Sequence, residues 1–178
     1  MNLKGTKTEK NLQAAFSGES EARNKYTYYA SQARKEGYHQ IANIFEETAA
    51  NEKEHAKLWF KLLKGGIPDT LTNLKDAAEG EKYEWSEMYA RFAEEAREEG
   101  FDSIAAMFEG VAKVEKAHEE RYNKLTENVE KVRVFSKDGV VVWQCLNCGA
   151  LYIGDQAPKV CPVCVHPQGY FQIKPENY

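Results

Sequence analysis

The sequence predicts a mainly α protein: an antiparallel four-helix bundle over residues 1–131, then a small β domain built on four cysteines over residues 132–178. Three observations predict this fold class. Residues 6–130 carry long helical periodicity with a single proline, Pro68. The same part of the chain is an internal repeat of two similar halves, and all four cysteines fall between residues 145 and 164. Near residue 131 the composition changes to β-branched residues, glycine turns and the other four prolines.

Four long helices account for the first domain. The first begins at Thr6, where Thr6-x-x-Glu9 forms a capping box, and ends at Gly37. The second covers residues 38–64 and is stopped by two glycines. The third begins within residues 69–72 and ends at Gly100, and the fourth continues to about residue 130.

The two helical hairpins are copies of one design. The alignment that places A-R-K-E-G-Y (33–38) on A-R-E-E-G-F (96–101) also places E-K-E-H (52–55) on E-K-A-H (115–118). Upstream, Gly-Glu at 18–19 matches Gly-Glu at 80–81 with a shift that is one residue shorter, so the first helices of the two repeats differ by one residue. Two such hairpins predict a pseudo-symmetric bundle.

Ionisable side chains interrupt the apolar stripe of the second and fourth helices. Positions that step by four and three residues are apolar at both ends of each stripe. In the middle the second helix has Glu52 and His55, and the fourth helix has Glu115 and His118. Within each pair the spacing of three residues puts both side chains on one face of the helix.

The first and third helices add carboxylates to the same region. Glu19 and Glu81 interrupt their stripes, and Glu84 lies one turn after Glu81, where the first repeat has Ala22. Counted from the hairpin turns, all seven ionisable side chains lie at one level, roughly 25 Å from the turns at 1.5 Å per residue.

Carboxylates gathered inside a bundle require a cation. A single glutamate on a helix is usually a solvated surface residue, but five together in an interior would be strongly destabilising as bare anions. Two iron or manganese ions would supply about +4 to +6 against them, and neutral imidazoles complete the ligand set. This pattern of glutamates with Glu-x-x-His pairs is typical of ferritin-like carboxylate sites.

The cysteines form the second candidate site. C-L-N-C-G (145–149) and C-P-V-C-V (161–165) would bring four thiolates to one tetrahedral metal, which is iron or zinc on spacing alone. Gly149 can adopt the left-handed conformation after the first pair, and Val165 stands where a glycine would be easier. The predicted metal ligands here are Cys145, Cys148, Cys161 and Cys164.

The core of this small domain is expected to consist mainly of aromatic residues together with the metal. Trp143, Tyr152 and Phe171 are the candidates for packing. His166 is interpreted as a hydrogen-bonding residue rather than a fifth ligand, and His39 as solvent-facing.

Charge and hydropathy exclude several classes of function. A net charge of -4 and a pI near 5.7 disfavour binding to nucleic acid or to anionic membranes. No apolar run approaches the roughly 18 residues of a membrane span, and residues 1–11 lack the apolar stretch of a secretory peptide. A cytoplasmic location is therefore expected, where C-x-x-C pairs bind metal more often than they form disulfides.

The combined motifs resemble the rubrerythrin family over essentially the whole chain. They are G-E-S-E-A-R-N-K-Y (18–26), E-K-E-H-A-K (52–57), G-E-K-Y-E (80–84), E-K-A-H-E (115–119) and the two C-x-x-C pairs. Neither site alone would separate this family from bacterioferritins or zinc ribbons, but both in this order do. The main departure is Val165. The resemblance implies a ferritin-like bundle with a C-terminal rubredoxin-like domain.

The resemblance also implies an activity and a role for each residue. The family's activity is a non-haem di-iron peroxidase that reduces hydrogen peroxide to water, with electrons passed in by the rubredoxin-like iron. The first iron would exchange His55 for Glu84 between the reduced and oxidised states, and His118 would bind the second iron. Tyr26 and Tyr89 would be partners of the carboxylates. The carboxylates implied as iron ligands are Glu19, Glu52, Glu81 and Glu115, with Glu52 and Glu115 bridging.

Partners and alternatives complete the expectation. The resemblance implies a head-to-tail homodimer, which would shorten the electron path, and an electron-donor protein such as rubredoxin or a reductase. The main alternative is a ferroxidase or iron-storage protein, which leaves the four-cysteine domain without a role. A zinc ribbon on a structural bundle is a third possibility, and it would make the seven ligands a coincidence.

Overall fold

The computed structural model describes residues 3–177, in two compact units that divide between Pro68 and Asp69. In the first unit, helices α1 and α2 form an antiparallel hairpin, which we call hairpin 1. The predicted capping box is present: the Thr6 side chain accepts a hydrogen bond from the Glu9 N–H at 3.1 Å. The helices are α1 (Lys7–Lys35) and α2 (His39–Lys64).

Small residues hold the two helices of hairpin 1 close to the turn. Ala30, Ala33 and Ala42 are buried, and Phe45 packs against them. Their small side chains let the backbones approach closely, and Gly37 reverses the chain with φ 86°.

The second unit begins with a second hairpin, which we call hairpin 2. The Asp69 side chain accepts a hydrogen bond from the Thr72 N–H at 2.9 Å and so caps the first helix. Near the turn Ala93, Ala96 and Ala105 are buried under Phe108, which repeats the packing of hairpin 1. The elements are α3 (Thr70–Tyr83), a π-helical turn (Glu84–Met88), α4 (Tyr89–Glu98) and α5 (Asp102–Glu130).

The repeat predicted from sequence is also present in the ion pairs. Arg34 donates two hydrogen bonds of 2.6 Å to Glu46, and at the equivalent place in the second repeat Arg97 donates one of 2.6 Å to Glu109. Each pair joins the two helices of its hairpin near the turn. These pairs are exposed to solvent, so they align the helices more than they stabilise them.

The predicted third helix is not uniform. The Tyr89 N–H donates to the Glu84 carbonyl, five residues back instead of four, at the end of the π-helical turn. This turn lies between the part of the repeat that aligns with the shorter shift and the part that aligns with the longer one. It therefore accommodates the one additional residue of the second repeat.

The four-cysteine domain is a three-stranded antiparallel sheet in the order β2-β1-β3. Its core contains Trp143 and Phe171, as predicted, with Cys145, Ala157 and Cys161. The strands are β1 (Ser136–Cys145), β2 (Leu151–Gln156) and β3 (Phe171–Ile173).

The prediction that Tyr152 belongs to this core is wrong. The side chain is 44% exposed. Strand β2 lies at the edge of the sheet, and the Tyr152 ring lies over Gly154, where an added Cβ would be only 2.9 Å from the ring. The ring covers the glycine instead of entering the core.

Within residues 3–177, none of the helices has the length and apolar character needed to cross a membrane. Helix α5 ends at Glu130 and β1 begins at Ser136. The domain boundary at residues 131 and 132 stays a prediction.

Candidate metal centres

Hairpin 1 brings together three of the predicted metal ligands, which we call the first trio: Glu19, Glu52 and His55. Glu19 lies on α1, and the other two lie one turn apart on α2. His55 Nδ1 is 2.8 Å from Glu52 Oε2 and 3.9 Å from Glu19 Oε1. One ligand atom from each residue lies within 4.8 Å of the others, which is close enough for one metal ion.

Hairpin 2 repeats this arrangement in the second trio: Glu81, Glu115 and His118. His118 Nδ1 is 2.7 Å from Glu115 Oε2 and 3.7 Å from Glu81 Oε1. These three ligand atoms also lie within 4.8 Å of one another. Two helical hairpins of different sequence thus build the same constellation, which chance placement of surface residues does not explain.

The carboxylates of the second trio are crowded. Partial burial raises the pKa of Glu81, and the nearby negative charge of Glu115 raises it further, while His118 acts in the opposite direction. A bound cation would relieve both effects, because it stabilises the ionised forms of neighbouring carboxylates. The donor set of oxygen and imidazole nitrogen suits iron or manganese. The residues present therefore fit a metal ion at each trio.

Glu84 lies beside the second trio rather than in it. Burial is the largest cause of the raised pKa values of Glu81 and Tyr89, and the charge of Glu84 raises both further. Glu84 and Tyr89 are both partly buried. In hairpin 1 Tyr26 is partly buried against Phe45, with ring centroids 6.2 Å apart.

The four cysteines form one cluster, and none of them forms a disulfide. The Sγ atoms of Cys145 and Cys164 are 3.7 Å apart, and so are those of Cys148 and Cys161. A tetrahedral site with metal–sulfur bonds of about 2.3 Å places its sulfur atoms about 3.8 Å apart. The cluster thus has the size of a tetrathiolate site.

Backbone N–H groups are directed at these sulfur atoms. The hydrogen bond from the His166 N–H lowers the pKa of the Cys164 thiol to about 5. The Ala150 N–H acts on Cys148 in the same direction, but burial and the hydrogen bonds with the other sulfur atoms together raise that pKa to about 12. Thiols that share protons in this way favour a cation that replaces the protons.

The two cysteine loops have the same backbone form. Gly149 has φ 76°, and Val165, at the corresponding place in the second loop, has φ 61°. His166 is not a fifth ligand: its Nδ1 is 3.1 Å from the Cys164 carbonyl oxygen, and its ring packs against Tyr170 with centroids 4.4 Å apart. His39 is exposed, as expected.

One contact beside the second trio was not predicted from the sequence. The Trp85 Nε1–H donates a hydrogen bond of 2.6 Å to Glu119 Oε2. The change in the shift between the two repeats located the irregularity of this helix but could not assign the tryptophan a partner on another helix.

Comparison with known proteins gives the same picture. The Rubrerythrin family matches residues 10–126, and the Rubrerythrin, rubredoxin-like domain matches residues 143–172. The chain is 51% identical to Rubrerythrin-1 of Clostridium acetobutylicum, over 99% of each chain. It is 52% identical to a rubrerythrin of Clostridium perfringens and 44% identical to one of Nitratidesulfovibrio vulgaris, again over 99% of each chain.

These matches cover both candidate centres. The family region contains both carboxylate–histidine trios, and the rubredoxin-like region contains the four cysteines. The centres fit the family's carboxylate di-iron site and its four-cysteine iron site. The chain belongs to the rubrerythrin family, as a di-iron and rubredoxin-like protein with ferritin-like helical hairpins.

Proposed function

We propose that this protein is a non-haem di-iron peroxidase that reduces hydrogen peroxide to water, with electrons delivered through the rubredoxin-like iron centre. Membership of the family supports an iron-dependent oxidoreductase. The observation that carries the finer proposal is the presence in one chain of two matching carboxylate–histidine trios and a tetrathiolate cluster. A ferroxidase would need the trios but not the cysteines.

Each trio is proposed to hold one iron, with additional contacts from Glu52 and Glu115 as bridging carboxylates. These two side chains are the least exposed of their trios, at 17% and 15%. His55 is 50% exposed, so its imidazole has room to leave a metal. We propose that Glu84 replaces His55 as a ligand of the first iron when the centre is oxidised.

Reduction of one peroxide molecule consumes two electrons and two protons, breaks the O–O bond and forms two water molecules. When bound, a ferrous pair supplies two electrons together, so that no hydroxyl radical is released. The carboxylates hold the charge of the site nearly constant while the electrons leave. The cysteine centre then returns electrons one at a time.

Tyrosine hydroxyls are proposed to hold protons for this reaction. The raised pKa of Tyr89 keeps its Oη protonated near the Glu84 carboxylate. Tyr26 has the corresponding place in hairpin 1 when the two repeats are aligned. Each hydroxyl can donate a hydrogen bond to a carboxylate or to bound peroxide.

Electrons are proposed to arrive from a donor protein, a rubredoxin or a reductase, at the cysteine domain. Cys148 is exposed and Cys164 partly exposed, so the thiolates lie at the surface. From His118 to the end of α5 the helix rises about 18 Å, a long path within one chain. A head-to-tail homodimer would shorten it. A cytoplasmic location belongs to the same proposal.

The test is peroxide consumption by the iron-loaded, reduced protein under anaerobic conditions. We expect fast consumption by the wild type, and loss of it in E52Q and E115Q. Glu54 and Glu120 are exposed neighbours on the same helices, so E54Q and E120Q are matched controls that should behave as wild type. Protein loaded with zinc should not respond. A wild type that takes up iron far beyond three ions per chain and does not consume peroxide would instead be an iron-storage protein.

A further inference from the structure

The π-helical turn, residues 84–88, connects two residues of the proposed site. The Glu84 carbonyl accepts from the Tyr89 N–H in the wider i to i+5 spacing. Burial raises the pKa of the Tyr89 hydroxyl, and the charge of Glu84 raises it further, so the two side chains also interact. Single π-helical turns are rare and frequently lie at functional sites, because their backbone is less favourable than a regular helix. Something must therefore hold this turn at one place along the helix.

Trp85, inside the turn, is held by α5. Its Nε1–H donates to Glu119 Oε2 at 2.6 Å, a short hydrogen bond to a charged acceptor in a partly buried place. The Lys116 Nζ lies 5.3 Å from the centroid of the Trp85 ring, within the range of a cation–π contact. The indole is thus fixed at its edge and on its face by two residues of the same neighbouring helix.

Glu119 is placed for this contact and not for the metal trio. It follows His118 directly in sequence, yet the second trio does not include it. One of its oxygens accepts from Trp85, and the other is 3.4 Å from Asn123 Nδ2. Both oxygens are therefore engaged away from the trio.

Hairpin 1 differs at each of these places. When His55 is aligned with His118, Glu119 corresponds to Ala56, which has no side-chain acceptor. When Glu19 is aligned with Glu81, Glu84 corresponds to Ala22, and this part of α1 is regular helix. The additional residue, the additional carboxylate and the tryptophan–glutamate contact therefore occur together, in hairpin 2.

We propose that Trp85 and Glu119 are positioning residues: their hydrogen bond anchors the π-helical turn to α5 and thereby fixes Glu84 and Tyr89 beside the second trio. The inference rests on the proposed function, because it concerns the same site. Without the anchor, the additional residue can be taken up elsewhere in the helix. The Glu84 carboxylate then loses its fixed place, although every proposed metal ligand is still present.

The first test needs no turnover. In W85F the ring remains but the N–H donor is lost, so amide hydrogen exchange of residues 84–89 should become faster in the metal-free protein. Anaerobic Fe²⁺ binding should weaken by about 10- to 100-fold, as for other residues that orient metal ligands. The matched control is W59F, because the Trp59 Nε1 is buried without a hydrogen-bond partner among the described residues. W59F should leave exchange at residues 84–89 unchanged.

The second test concerns the coupling of the two residues. E119A should reproduce W85F, and the double variant should be no worse than either single variant, because both remove one interaction. E119Q keeps an acceptor oxygen and should lie closer to the wild type than E119A does. In the iron-loaded enzyme we expect lower kcat with little change in KM.

The proposal is overturned if W85F matches W59F in exchange and Fe²⁺ binding, or if the effects of W85F and E119A multiply in the double variant. A failure of the proposed function has a different signature. In that case the wild type does not reduce peroxide, whereas the exchange and Fe²⁺-binding experiments still decide whether the anchor exists.

Discussion

Val165 adopts φ 61° at the place that Gly149, with φ 76°, occupies in the other cysteine loop. The left-handed conformation costs an L-residue with a Cβ roughly 1–2 kcal/mol, and a β-branched residue is among the least suited to it. The loop requires it, since the Val165 N–H donates to the Cys161 carbonyl at 3.0 Å as the Gly149 N–H does to that of Cys145 at 2.9 Å.

Replacement of this valine by glycine should stabilise the four-cysteine domain. V165G removes the strain, and because glycine gains some entropy in the unfolded chain, the net gain should be about 1 kcal/mol. The measurement is thermal unfolding followed by the absorption of the iron-loaded cysteine site. Val163 is exposed and has no positive φ, so V163G is the control and should be neutral or destabilising. Equal effects of the two variants would contradict the strain argument.

Loss of the cysteine-bound metal should unfold the small domain while the hairpins keep their helices. Two of the five buried core residues of this domain are the cysteines Cys145 and Cys161, so removal of the metal puts unpaired thiols in the core. Amide exchange in β1 should become fast in C145S, and α2 should stay protected. Strands that stay protected without metal would show that Trp143 and Phe171 suffice as a core.

The close approach of the helices near each turn should not tolerate a larger residue. Ala105 is fully buried against Ala93 and Ala96, so A105L must push α4 and α5 apart. Overpacking of this kind costs typically about 1–3 kcal/mol. Denaturant unfolding followed by helical circular dichroism measures it. Ala106 is exposed on the same helix, and A106L should unfold as the wild type does; a similar loss in both variants would point to helix propensity instead.

The metal-free protein should respond to pH through Glu81. Its pKa is raised in the folded chain, so the folded state binds the proton more tightly than the unfolded state does. The stability that the protonated carboxyl contributes is fully present below about pH 4.3, the unfolded value, and is lost as pH rises through the folded pKa. E81Q should remove this dependence.

This difference between wild type and E81Q is the quantity to measure, by thermal unfolding of metal-free protein across that pH range. The comparison matters because exposed pairs such as Glu21 with Lys25 have lowered carboxylate pKa values and act with the opposite sign. Parallel pH profiles for the two proteins would contradict the crowding at the second trio. Bound metal should abolish the difference.

Local rules were sufficient to predict much of this structure. The cap at Thr6, the reversal at Gly37 and the arrangement of each trio follow from residue spacing, because Glu-x-x-His must share a helix face. The left-handed place of Val165 followed from its equivalence to Gly149. All of these depend on neighbours within a few residues or on the internal repeat.

Contacts between elements were harder to predict. The count of residues showed that the second repeat is longer by one, but the position of the π-helical turn depends on where α5 offers Trp85 a partner. Tyr152 was misplaced because alternation along a strand does not tell an edge strand from a central one. The roles of His55, Glu84 and Tyr26 come from the resemblance and stay proposals.

The most direct test of the peroxidase proposal is an anaerobic titration of the fully reduced, iron-loaded protein with hydrogen peroxide. The account predicts that one peroxide oxidises two irons of the carboxylate site, that the cysteine iron follows, and that the iron content of each chain stays constant. Iron that is oxidised by dioxygen but not by peroxide, with more metal accumulating on the protein, would contradict it.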